Sequence, residues 1–116
     1  MDERILKWLH DIFRAIIEIE GFLDRQTDFF EYQKNLLLKR GVERNLEIIG
    51  EAMNRILQRD TTFEDKIEEA RNIVGLRNQI IHAYDGISDE NIWAIVTNHL
   101  PKLKSQISLL INQKGL

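Results

Sequence analysis

Apolar residues recur every three or four positions along nearly the whole chain, and that spacing constrains the fold more than any other feature. Ile5, Leu9, Ile12, Ile16, Ile19 and Leu23 form one stripe, widened by Leu6, Phe13 and Ile17, with Trp8 on that face or at its edge. A period near 3.6 gathers such residues on one side of an α-helix, so a first helix is expected over residues 2–23. From about Thr27 to Arg59 the stripe runs through Phe30, Leu37, Val42, Leu46, Ile49, Met53, Ile56 and Leu57, as one long helix or two collinear ones. The stripe holds across Gly41, where glycine costs about 1 kcal/mol relative to alanine; the helix can kink or break there, but the pattern resumes in phase. Gly50, in the same stripe, points to close approach by another helix.

Thr62 reads as the N-cap of a third helix, with Asp65 three residues on. That helix carries Ile67, Ala70, Ile73, Leu76, Ile80 and Ala83, and Asp85-Gly86 ends it. Ser88 caps a fourth, whose first turn holds Asp89 and Glu90 at the positive end of the helix dipole. Pro101 either opens a fifth helix or kinks the fourth, and Leu103, Ile107, Leu110 and Ile111 supply the last stripe. Candidate strands, repeats, linkers and low-complexity tracts are missing. The expectation is an all-α, antiparallel bundle of four or five helices forming a single domain over residues 1–116.

Composition removes several kinds of chemistry. There are no cysteines, so disulfides, cysteine-based zinc sites and thiol nucleophiles are excluded. The formal charge of −3 argues against coating nucleic acid or an anionic membrane through bulk charge. No apolar run is long enough to span a bilayer, and the start, Met1-Asp2-Glu3-Arg4, lacks the basic opening of a secretory signal. A cytoplasmic protein without membrane contact is expected. Lys7, Gln79 and Val96 stand three residues before the histidines, so the Glu-x-x-His pairs of di-iron bundles are missing. Phosphate-binding glycine loops are missing too, and no cofactor is expected. Glu43, Glu47 and Glu51 line one helix face, and read as a solvated stripe pairing with Arg40, Arg44 and Arg55.

One stretch stands apart, Arg77-Asn78-Gln79-Ile80-Ile81-His82-Ala83-Tyr84-Asp85-Gly86. With Arg77 at zero and about 100° per residue, Asn78 falls near 100° and His82 near 140°. Tyr84 and Asp85 share this broad polar face, while Ile73, Leu76, Ile80 and Ala83 occupy the opposite, core-facing side. Val74 and Ile81 sit amid the polar groups, which is awkward against water alone and natural against a partner surface. A twofold dimer is the simplest such partner. An arginine can fork onto a phosphate, and a histidine can take or give a proton near neutrality. Together they suit RNA cleavage by the neighbouring 2′-hydroxyl, with His82 as acid or base and Arg77 on the phosphate. Asn78 could orient the imidazole or hold the phosphate, and Tyr84 could hydrogen-bond or stack on a base. The same residues also suit ordinary packing and surface roles.

The run Arg77, four residues, His82, one residue, Tyr84 resembles the Arg-x4-His-x-Tyr signature of HepT-like toxins in the HEPN superfamily. Leu46-Glu47-Ile48-Ile49-Gly50-Glu51-Ala52 is similar to that family's Gly-Glu-Ala helix. Ile87 to Trp93 and Leu100 to Leu103 are similar to its closing segment. The resemblance implies an all-α homodimer whose paired motifs cleave RNA without metal, as the toxin of a type VII-like toxin–antitoxin pair. By that resemblance Arg77 and His82 are catalytic and Asn78 supports them. It also implies an MntA-like minimal nucleotidyltransferase as antitoxin, with Tyr84 as the residue that it AMPylates. The alternative is a non-catalytic subunit that presents substrate or nucleotide to such a nucleotidyltransferase.

Overall fold

Among the described residues, seven α-helical segments and one π-helical turn carry the chain, and no strand occurs. The computed structural model describes residues 1–24, 27–82 and 87–113, and of His82 the backbone alone. The elements are α1 (Glu3–Phe22), α2 (Phe29–Lys34), α3 (Leu36–Arg59), α4 (Phe63–Lys66), α5 (Ala70–His82), α6 (Asp89–Ala94) and α7 (Leu100–Gln113), with the π turn at Ile95–His99. The all-α bundle expected from the periodicity is the fold observed. Its long members are α1, α3, α5 and the rod formed by α6, the π turn and α7.

Helix α1 begins where Asp2 accepts hydrogen bonds from the Arg4 and Ile5 backbone N–H groups, at 2.8 and 3.2 Å. Its antiparallel course against α3 is fixed at both ends. Arg59, closing α3, donates to Asp2 at 2.9 Å, and the Phe22 ring at the far end of α1 covers Gly41. Between these points Ile5, Leu9, Ile12, Ile16 and Ile19 meet Val42, Leu46, Ile49, Met53 and Ile56 in one buried core. Helix α3 is the centre of the bundle, with α1 on one side and α5 on the other, while α7 packs against α1.

Several local features differ from the sequence reading. The break in the second stripe falls at Asn35 rather than Gly41, because the Asn35 side chain accepts the Leu38 N–H at 3.0 Å and starts α3. Phe30 and Leu37 are therefore out of phase with the core, at 69% and 84% exposed. Tyr32 is the buried residue of α2, its ring 5.4 Å from that of Trp93. Burial pushes the Tyr32 phenol well above its ordinary pKa, with Asp89 and Glu43 adding to the shift. Ile17, expected to widen the α1 stripe, is exposed.

Thr62 caps nothing with its side chain; Asp60 instead accepts from the Thr62 N–H at 3.0 Å and hydroxyl at 2.6 Å. The expected helix from Thr62 onward is a single turn, α4, followed by extended backbone at Ile67 that buries its side chain completely. Phe63 and Ile67 both fill the core at that corner, and the helix restarts at Ala70. Asp85-Gly86, the expected terminator, lies outside the described residues. Ser88 caps α6 as expected, accepting the Asn91 N–H at 3.2 Å. Pro101 distorts one rod rather than opening a separate helix, since the backbone stays right-handed helical at Ala94, Ile95 and Leu100. Proline has no N–H for the Thr97 carbonyl one turn earlier, and the π turn lies over that gap. The Thr97 hydroxyl donates back to the Trp93 carbonyl at 2.8 Å.

Candidate functional site

Helices α3 and α5 come into close contact where Gly50 faces Arg77. A Cβ at Gly50 would lie 2.2 Å from the Arg77 Cβ, 2.8 Å from its Cγ and 3.1 Å from the Ile73 carbonyl. Only a residue without a side chain fits, and its absence lets the Arg77 stem lie directly on the α3 backbone. Ile73, one turn before Arg77, and Leu76 are buried and hold the helix in register. Arg77 is thereby carried over α3 to the next residue, Glu51.

The Arg77 guanidinium is held from two sides. Its Nη2 is 2.8 Å from Glu51 Oε2, and its Nη1 donates to Asn78 Oδ1 at 2.9 Å. Glu51 Oε1 also accepts from Arg55 Nε at 3.1 Å, so one carboxylate joins α5 to the next turn of α3. Arg77 Nε is buried with no hydrogen-bond partner among the described residues. An arginine carries five N–H donors in a planar fork; with Nε buried and one donor engaged on each terminal nitrogen, the second N–H of Nη1 and of Nη2 is left for an anion. Such a clamp limits guanidinium rotation before any ligand arrives, as preorganised sites require.

The Glu43, Glu47 and Glu51 stripe pairs as expected with Arg40 at 2.9 Å, Arg44 at 3.1 Å and Arg55 at 3.1 Å. The additional contact from Glu51 to Arg77 was not read from the sequence. Its signal was present in Gly50, whose position in an apolar helix stripe marked a crossing without saying which residue crosses. Asn78 meets the Arg77 side chain, its expected partner His82 lying one turn on, at the last residue of α5. The His82 side chain and the whole of Tyr84 lie outside the described residues. Of the two aliphatic residues on the polar face, Val74 packs half-buried against the core, whereas Ile81 is 43% exposed.

A groove runs past this cluster between α1, α3 and α5. One hollow of about 340 Å³ is walled by Lys7, Trp8, Arg44, Glu51, Arg77 and Ile81 among others. A second, of about 620 Å³, shares Trp8, Glu51, Arg55 and Arg77 with it and extends to Asn54, Gln58 and Arg59. Both fall within the range of about 300–1,000 Å³ usual for ligand sites. Five cationic side chains (Lys7, Arg44, Arg55, Arg59, Arg77) and three carboxylates (Asp11, Glu47, Glu51) line the two, and with Asp2, the partner of Arg59 beside them, the local charge is +1. The whole chain carries −3. The groove is positive on an acidic protein.

Residues 12–110 match the family model described as Ribonuclease HepT-like. The chain belongs to the ribonuclease HepT-like family. Among its relatives is "Putative RNase MJ1380" of Methanocaldococcus jannaschii, 34% identical over 95% of this chain and all of that one. "Probable ribonuclease HepT" of Thermococcus cleftensis is 33% identical over 89% of this chain and 92% of that one. "Putative RNase TTE0752" of Caldanaerobacter subterraneus is 29% identical over 84% and 88%. No solved structure matches the chain at a significant level. The family is the one that the Arg77–His82–Tyr84 spacing resembles, and ribonuclease is its class. The matched residues span α3 and α5, and so include the Gly50–Arg77 crossing and two walls of the groove, while Lys7, Trp8 and Asp11 of its α1 wall precede them. Among the described residues, no helix is long and apolar enough to cross a membrane.

Proposed function

We propose that the chain is a metal-independent endoribonuclease, the toxin of a toxin–antitoxin pair, acting as a homodimer with Arg77 and His82 as catalytic residues. Arg77 takes a non-bridging oxygen of the scissile phosphate with the donors that Glu51 and Asn78 leave open, and offsets charge as it builds there. The imidazole of His82 accepts the 2′-hydroxyl proton as that oxygen bonds to phosphorus. The P–O5′ bond breaks, and the leaving oxygen takes a proton from the imidazolium of the second copy. The products are a 2′,3′-cyclic phosphate and a 5′-hydroxyl. Ile81, exposed beside Arg77 on the groove wall, belongs to the contact between copies. Asn78 is a positioning residue through its bond to Arg77.

The observation that carries this reading is the clamped Arg77 on the wall of a positive groove, in a chain of the ribonuclease HepT-like family. A negative groove would have favoured a module that only presents substrate to a nucleotidyltransferase. Control of the nuclease follows from Tyr84 two residues beyond His82. A nucleotidyltransferase antitoxin joins the Tyr84 oxygen to the α-phosphorus of ATP and releases pyrophosphate. The added phosphate brings bulk and negative charge to the motif and repels RNA.

Purified protein is expected to cut RNA in chelator, leaving 2′,3′-cyclic phosphate ends, and His82→Ala or Arg77→Ala is expected to remove about 10²–10⁴-fold of the rate while the dimer persists in sedimentation. Wild-type protein that cuts no RNA, with His82→Ala equally toxic in cells, would overturn the assignment.

A further inference from the structure

Trp8 has no part in the chemistry assigned to Arg77 and His82, yet it stands on the wall that both hollows of the groove share with Arg77. The residue is half-buried, packed against the core from α1 while lining the groove. On one side of it Lys7 and Arg44 line the smaller hollow; on the other Arg59, Asn54 and Gln58 line the larger, with Arg55 common to both. Four of these cations are held only by ion pairs at exposed sites, Lys7 to Asp11, Arg44 to Glu47, Arg55 to Glu51 and Arg59 to Asp2. Such pairs contribute little in water, so the side chains can turn to a phosphate.

An aromatic side chain flanked by weakly paired cations along an open groove is the arrangement that binds an unpaired strand. Every base has a π-face that can stack on an aromatic ring, and the cations follow the backbone. We propose that Trp8 is the base-stacking platform for single-stranded RNA. The base of a nucleotide flanking the scissile phosphate lies on its indole, while Arg55 and Arg59 take neighbouring phosphates. A paired base is stacked within its own helix and cannot occupy this platform, so the groove selects unpaired over duplex RNA. This assignment rests on the ribonuclease reading and adds to it a subsite on α1, outside the Arg77–His82 motif.

The test uses full-length dimer carrying His82→Ala, so that bound RNA is not cut, and Trp93→Phe, so that Trp8 is the sole tryptophan. A single-stranded oligoribonucleotide is expected to quench Trp8 emission as it binds, and the matching duplex to quench it far less. In active protein, Trp8→Ala is expected to raise KM for single-stranded RNA about 5- to 150-fold, the range for one lost base–aromatic stack. Trp8→Phe should recover most of that loss and Trp8→Leu should not, whereas a purely packing role through lost volume would be served by either. RNA that is bound and cut with Trp8 emission unchanged and KM unaltered in Trp8→Ala overturns the subsite and leaves the nuclease standing. Quenching by an antitoxin protein but not by RNA overturns it in favour of a protein-docking face. Quenching by RNA, with wild-type cleavage no faster than that of His82→Ala, supports the subsite and removes the catalytic assignment instead.

Discussion

Gly50 and Arg77 meet across the α3–α5 crossing so closely that a methyl group at Gly50 would sit 2.2 Å from the Arg77 Cβ. The contact sets both the spacing of two core helices and the position of the arginine that reaches Glu51.

Gly50→Ala therefore opposes two effects. Alanine favours the helix by about 1 kcal/mol, but overpacking a tight contact costs about 1–3 kcal/mol. The obstructing atoms include the stem of Arg77 and the Ile73 carbonyl, and backbone yields less readily than a side-chain tip. Urea denaturation is expected to show a net loss of about 1 kcal/mol, and RNA cleavage should fall with it as Arg77 is displaced. A stabilised, fully active Gly50→Ala protein would mean that the crossing relaxes at no cost.

Glu51→Gln keeps the shape of the clamp and removes its charge. The pair with Arg77 is partly exposed, so stability should change by less than about 1 kcal/mol. A guanidinium held less firmly should lower kcat about tenfold, equivalent to about 1.4 kcal/mol of lost positioning. KM for RNA should not rise, because the substitution leaves the groove more positive. An unchanged kcat would show that Asn78 alone suffices to hold Arg77.

The Tyr32 hydroxyl is buried with no hydrogen-bond partner among the described residues. An unsatisfied buried polar group costs about 1–3 kcal/mol. Tyr32→Phe is thus expected to be neutral or stabilising by up to about 1 kcal/mol in thermal or urea unfolding, with the Trp93 contact retained. A clear loss of stability would reveal that the hydroxyl is bonded.

The acid limb of stability should depend on Asp2. Its carboxyl is held below the usual 3.8, chiefly by the hydrogen bond from Arg59 and then by the Ile5 N–H. A folded-state pKa below the unfolded one adds stability that is fully present above the unfolded value and disappears as pH falls through the folded value. Asp2→Asn keeps a capping oxygen but loses the charge that Arg59 meets. Its deficit relative to wild type, followed by circular dichroism, should be constant above pH 3.8 and shrink on further acidification. A deficit that grows as pH falls would contradict the shift.

Helix α1 was legible almost to the residue, because its stripe is uninterrupted and Asp2 stands where a cap is needed. Around Asn35 the spacing is not decisive. There the stripe is compatible with one continuous helix, and the outcome turns on a side-chain cap whose competitor, Gly41, looked the more obvious breaker. The run from Thr62 to Ala70 misled for a related cause. Phe63 and Ile67 are spaced as on one helix, but both are buried by breaking it.

The sequence by itself determined the helical class, the core stripes and the grouping of Arg77, Asn78 and His82 on one helix, since each depends on spacing within a segment. Only the tertiary structure decided what Arg77 touches, that Glu51 serves two arginines, and that Trp8 shares a groove with the arginine of the motif. Those relationships join residues on different helices, and periodicity carries no information about the rotation of one helix against another. That rotation is set by how closely two backbones can approach, which here depends on a glycine at position 50.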